Sequence, residues 1–163
     1  MAGTTDSMNS GKSPLVSPPI PALRTCVLTC MDTRINPYDL LGVATGDVHI
    51  LRNAGGLATP DALRSLILSQ HLLSVRNVII INHTGCGLFE LDEERVLREL
   101  RARTGADAAA PREFHAFSDL AKTTREQVRK VLEHPWLDLI EEVRGVIYHV
   151  ETGVLEDVAV RTR

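Results

Sequence analysis

The sequence predicts an α/β fold: a mostly parallel central sheet flanked by helices, with a C-terminal antiparallel edge strand. Three observations predict it. Short apolar runs, TCVLTC (25–30), DVHILR (47–52) and NVIIINH (77–83), alternate with helical patterns, as parallel βαβ units do. The third run is almost continuously β-branched, which suits a strand covered on both faces. Near the C-terminus RGVIYHV and VLEDVAV flank ETG, a hairpin signal that adds the antiparallel strand.

Taken in order, residues 1–21 are rich in Ser, Thr, Gly and Pro and read as a flexible N-terminal arm, leaving 22–163 as one domain. SGKSP in this arm is not a P-loop, because Asp6 stands where the first glycine is required and no strand precedes it. After the first strand, NPYDLLG is a short helix. Thr59 is an N-cap with Pro60 at the first helical position, opening an apolar helix over 61–75. ELDEERVLRELRART is an amphipathic helix with Val96, Leu97 and Leu100 on one face, stopped by Gly105. Ser118 caps a further helix through Leu132, ended by Pro135. No internal repeat is evident.

Bulk properties exclude several classes. A net charge of −3 and a pI of about 6.1 give no polyanion-binding surface, so no nucleic-acid partner is expected. No run approaches the ~18 apolar residues of a membrane span; SLILSQHLLSVRNVIII is interrupted by Gln70, His71, Arg76 and Asn77. The N-terminus lacks an apolar signal-peptide core, which makes a cytoplasmic location the default expectation. Three cysteines form no disulfide framework, and in a reducing compartment they are core residues, metal ligands or nucleophiles.

The chemistry collects where strands end. In open α/β sheets ligands bind outside the carboxyl ends of the parallel strands, and three strands here end in CMDTR, RNAGG and HTGCG. As neighbours they would bring Cys30, His83 and Cys86 together. Two thiolates and one imidazole suit Zn²⁺, one ion per chain, with a fourth tetrahedral position left open. No second pair of close-spaced ligands is present, which favours a catalytic over a structural site. Cys26 has no such partner and reads as core. His49, His71, His115, His134 and His149 also lack partner spacing. Asp32 and Arg34 share a face of an extended segment and can pair. Asp32 then serves as a fourth ligand in a closed site or as a proton acceptor beside the metal; the bland alternative is a surface ion pair worth about 0–1 kcal/mol. Gly55 and Gly56 either present N–H groups to a small anion as a substrate-binding element or simply make a tight turn.

Cys-x-Asp-x-Arg at 30–34, RNAGG at 52–56 and His-x-x-Cys at 83–86, in this order and rough separation, resemble the β-class carbonic anhydrases of the short archaeal and bacterial branch. The likeness extends over about residues 23–160, including the closing hairpin. It implies a zinc lyase that reversibly hydrates CO2 to bicarbonate and a proton through a zinc-bound hydroxide. Cys30, His83 and Cys86 would be the zinc ligands, Asp32 would act on the metal-bound water and Arg34 would position Asp32. It also implies an apolar CO2 pocket and a homodimer or higher even assembly. Two departures stand out: the Pro/Ser-rich start does not resemble the family's helical arm, and Gly85 stands where many relatives carry an acidic or amide residue.

Two alternatives remain. One is a related zinc hydrolase of a CO2 analogue such as carbon disulfide; the other is a non-catalytic zinc- or bicarbonate-binding module. Phosphatase chemistry is excluded because only three residues separate Cys30 from Arg34, where a phosphate-cradling loop needs five. Cys26 and Cys30, with three residues between them rather than two, make no Cys-x-x-Cys redox pair.

Overall fold

A computed structural model describes residues 18–108, 111 and 113–163. Most of the expected arm, residues 1–17, lies outside the described residues. Its end is docked: Pro21 is buried, and the Pro19 carbonyl lies 3.0 Å from His49 Nε2.

The elements follow the expected alternation: β1 (Thr25–Cys30), α1 (Pro37–Leu41), β2 (Val48–Asn53), a 3-10 turn (Ala54–Gly56), α2 (Pro60–Leu73), β3 (Asn77–His83), α3 (Glu93–Thr104), α4 (Leu120–Glu133), β4 (Glu142–His149) and β5 (Val154–Thr162). The sheet order is β2-β1-β3-β4-β5. The first four strands run parallel, and β5 closes the edge antiparallel to β4. All six residues of β1 are buried, as expected of a central strand flanked on both sides.

Side-chain chemistry accounts for the boundaries. Asn36 caps α1, its side chain accepting from the Tyr38 N–H, and Gly42 ends that helix at φ +64°. Thr59 caps α2 with Pro60 at its first position, as the sequence predicts, and the helix stops at Leu73 where Ser74 turns left-handed. The expected Ser118 cap is displaced by one residue. Asp119 caps α4 instead, its carboxylate accepting from the Lys122 N–H at 2.8 Å, a stronger acceptor than a hydroxyl in the same turn. No residue of α3 is buried; Val96, Leu97 and Leu100 are half-buried, so its apolar face is only partly covered.

The main core packs Cys26 and Leu28 of β1 and Val78 and Ile80 of β3 against Leu66 of α2 and Val128 and Val131 of α4. A glycine allows α4 this approach: a Cβ on Gly145 of β4 would lie 2.7 Å from Val128 Cγ2. A smaller cluster, Cys30, Ile35, Leu57, Cys86 and Leu88, sits at the carboxyl end of the sheet. Among the described residues no helix is long and apolar enough to cross a membrane.

Candidate metal centre

Because β1 lies between β2 and β3, the three distinctive strand endings are adjacent in space. Cys30 closes β1, His83 closes β3 and Cys86 follows in the turn. One ligand atom from each lies within 4.8 Å of the other two, and all three residues are buried.

The donor set fits a thiophilic cation. Among the described residues the acceptor offered to His83 Nδ1 is the Thr84 carbonyl at 2.8 Å, an arrangement that puts the proton on Nδ1 and leaves the Nε2 lone pair for a metal. That Nε2 is buried without a hydrogen-bond partner. Such an orphan costs free energy unless something satisfies it, and a cation beside two sulfurs does so. The Cys30 thiol is lowered, chiefly by the hydrogen bond from Cys86, against the opposing effect of burial. Cys86 is raised correspondingly by its bond to Cys30 and by burial. Burial disfavours charge on His83, but the Cys30 sulfur, the Thr84 carbonyl and the Asp32 carboxylate together outweigh this and raise its pKa.

Asp32 and Arg34 stand at the rim, with side chains 19% and 50% exposed. Arg34 Nε donates to Asp32 Oδ1 at 2.9 Å and Nη2 donates to Oδ2 at 2.7 Å. The Arg34 backbone N–H donates to Oδ1 as well, at 2.9 Å. This bidentate grip holds the Asp32 carboxyl far below the usual carboxylate range. Asp32 Oδ2 lies 3.9 Å from His83 Nε2, beside the donors, but it is not a member of the three-residue group. Arg34 is itself anchored by donating to the Gly85 carbonyl at 2.9 Å.

The two glycines are drawn to the sulfur side of the site. The Gly55 N–H donates to Cys30 Sγ at 3.3 Å. Gly56, at φ +64°, rests on the backbone beneath it: a Cβ there would lie 2.8 Å from the Cys30 nitrogen. Cys26 stays in the core, where burial pushes its thiol up to about 12.

Three supporting residues escaped the sequence reading. Arg52 donates to the Cys30 carbonyl at 2.9 Å and the Asp32 carbonyl at 2.6 Å, bracing the CMD backbone. Thr84 is pinned to the β4–β5 hairpin: its N–H donates to the Tyr148 carbonyl at 3.0 Å and its hydroxyl donates to Glu151 Oε2 at 2.7 Å. Asn82 holds the glycine turn, donating to the Gly55 carbonyl at 2.6 Å. Their one sequence signal was a polar residue at or next to a strand end, which does not say what it meets.

Residues 25–155 match the family model for carbonic anhydrase. Beta-carbonic anhydrase 1 of Mycobacterium tuberculosis is 32% identical over 97% of this chain and 94% of its own length. A carbon disulfide hydrolase of Acidithiobacillus thiooxidans is 31% identical, with 81% of this chain and 75% of the relative covered. The crystal structure of carbonic anhydrase from Streptococcus mutans superposes with a TM-score of 0.81 at 34% identity, covering 91% of this chain and 88% of that one. The chain belongs to the β-carbonic anhydrase family, and it is an enzyme of that family.

Proposed function

We propose that the protein catalyses the reversible hydration of CO2 to bicarbonate and a proton, using one Zn²⁺ per chain held by Cys30, His83 and Cys86. The observation that carries this reading is the Arg34 grip on both oxygens of Asp32, which keeps the carboxylate from completing a closed four-ligand set. Bound in this site, Zn²⁺ would act as a Lewis acid that makes water nucleophilic near neutral pH.

The chain's own groups do the rest. Asp32 stays ionised at neutral pH and accepts a hydrogen bond from the attacking water, orienting it. A carboxylate with so low a pKa does not retain the proton, which therefore leaves by another route. Arg34 is a positioning residue, acting through Asp32. Leu57, Leu88 and Ile35 give the donors an apolar surround suited to an uncharged substrate. Gly55 contributes its N–H to the Cys30 sulfur, and Gly56 permits the close approach this requires.

Stopped-flow CO2 hydration on zinc-quantified protein, near neutrality and at mildly alkaline pH, tests this reading. Turnover at both is expected. Activity on the alkaline side only would return Asp32 to the role of fourth ligand. Full zinc without hydration at either pH would overturn the reading.

The likeness to the A. thiooxidans carbon disulfide hydrolase supports a second reading, hydrolysis of carbon disulfide at the same centre. A substrate panel separates the two. A non-catalytic module is disfavoured by the Asp32–Arg34 pair, which such a protein has no need to maintain. We also assign a homodimer or higher even assembly, supported by the apolar residues exposed around the site, Met31 at 65% and Phe89 at 43%. A cytoplasmic location fits the three free thiols.

A further inference from the structure

We propose that Asn82 is a positioning residue for the metal centre: its side-chain amide holds the Ala54–Gly56 turn so that the Gly55 N–H is aimed at Cys30 Sγ. This role presupposes the three-donor centre assigned above.

Asn82 is 1% exposed and immediately precedes His83 at the end of β3. Its Nδ2 donates to two successive carbonyls of the turn, Gly55 at 2.6 Å and Gly56 at 3.3 Å. Its Oδ1 is buried with no partner. A buried amide with an orphan oxygen is destabilising unless its other half contributes more, because an apolar side chain would fill the same space without that penalty. What Asn82 contributes is therefore carried by its two N–H groups, and both are directed at one turn.

That turn needs external support. Gly55 and Gly56 sit at φ +79° and +64°, a region glycine enters and leaves at little cost. Asn53 braces the turn's flanks, its Oδ1 accepting from the Leu57 N–H at 2.8 Å and its Nδ2 donating to the Leu57 carbonyl at 2.8 Å. Asn82 alone among the described side chains grips the Gly55 and Gly56 carbonyls. With those carbonyls held on the β3 side, the Gly55 N–H faces β1 and donates to Cys30 Sγ at 3.3 Å. An N–H donated to a thiolate withdraws charge from the sulfur and fixes its direction, the way outer groups orient and tune metal ligands.

The experiment compares wild type, Asn82→Ala and Asn82→Asp. Zn²⁺ dissociation constants come from competition with a chromophoric chelator, and thiolate-to-cobalt charge-transfer spectra from the Co²⁺-substituted proteins. Gln70→Ala is the control, since Gln70 is another buried amide but lies away from the site, donating to the Trp136 carbonyl at 3.2 Å. Both Asn82 variants are expected to bind Zn²⁺ about 10- to 100-fold more weakly and to shift the charge-transfer band. Gln70→Ala should lose thermal stability yet keep wild-type affinity and spectrum. Asn82 variants within twofold of wild type with an unchanged band would overturn the proposal, as would an equal loss of affinity in Gln70→Ala. Should Asn82→Ala fail to fold, Asn82→Ser, which keeps one donor, carries the same comparison. A wild-type protein that binds no Zn²⁺ would instead overturn the metal-site assignment on which the proposal stands.

Discussion

Both oxygens of Asp32 are engaged by the Arg34 guanidinium, and the site's chemistry turns on whether that pair holds. Arg34→Ala frees the carboxylate to move toward the donors; zinc content should stay at one per chain while turnover falls about 100-fold, the scale of a misplaced reacting group. Metal analysis alongside stopped-flow rates checks it, and unchanged rates would reduce Arg34 to a surface ion pair. Cys86→Ser removes a thiolate outright and should lose most of the zinc and activity together. A variant keeping full zinc and full turnover would show that the metal lies elsewhere. The pair also predicts a pH signature. The folded pKa of Asp32 is lowered, so its stabilising contribution is complete above the unfolded carboxylate pKa of about 3.9 and is lost only as pH falls through the lower folded value. Urea midpoints of metal-free wild type and Arg34→Ala should therefore differ by a constant amount from pH 7 to pH 5 and converge only in strong acid.

The Ala54–Gly56 turn leaves little room for change. A methyl group on Gly56 meets the Cys30 nitrogen at 2.8 Å, the Thr29 carbonyl carbon at 2.9 Å and the Ile81 oxygen at 3.0 Å, all backbone atoms that cannot swing away. Positive φ adds about 1–2 kcal/mol for an L side chain. Gly56→Ala should lower the melting temperature by roughly 10 °C, taking about 3 kcal/mol at 2–4 °C each. A shift under 2 °C by calorimetry would mean that the turn relaxes. The β4–β5 hairpin reaches the site through Tyr148, packed against the cluster around Cys30 and Cys86, and through Thr84, whose carbonyl in turn receives the His83 ring. The C-terminal edge of the sheet is thereby tied to the metal centre.

At the scale of the molecule, the proposed donors come from two different strands and a turn, so metal binding and folding are coupled. Zn²⁺ at about 100 times its dissociation constant should stabilise the chain by about 2.7 kcal/mol, roughly 5–10 °C in melting temperature. Calorimetry with and without chelator measures this; no difference would mean that the ion binds the unfolded chain equally well. Sedimentation should return at least twice the 17.9 kDa chain mass. A monomer at micromolar concentration would remove the assembly proposal and leave the exposed Met31 and Phe89 without a partner.

The alternation of apolar runs with capped helices was legible in the sequence because periodicity and capping are local: Thr59-Pro60, Gly105 and NVIIINH carry their own instructions. Cys30, His83 and Cys86 were legible as a group because metal ligation demands rare residue types at strand ends, and few other uses bring them there. The cap of α4 was misplaced by one residue because Ser118 and Asp119 are adjacent competent caps, separated only by the stronger acceptance of the carboxylate. What only the tertiary structure decided is who supports the site. Asn82, Thr84, Glu151 and Arg52 act on backbone carbonyls or hydroxyls supplied by other elements. A polar side chain announces that it needs a partner, but the partner's identity is set by which strands lie side by side.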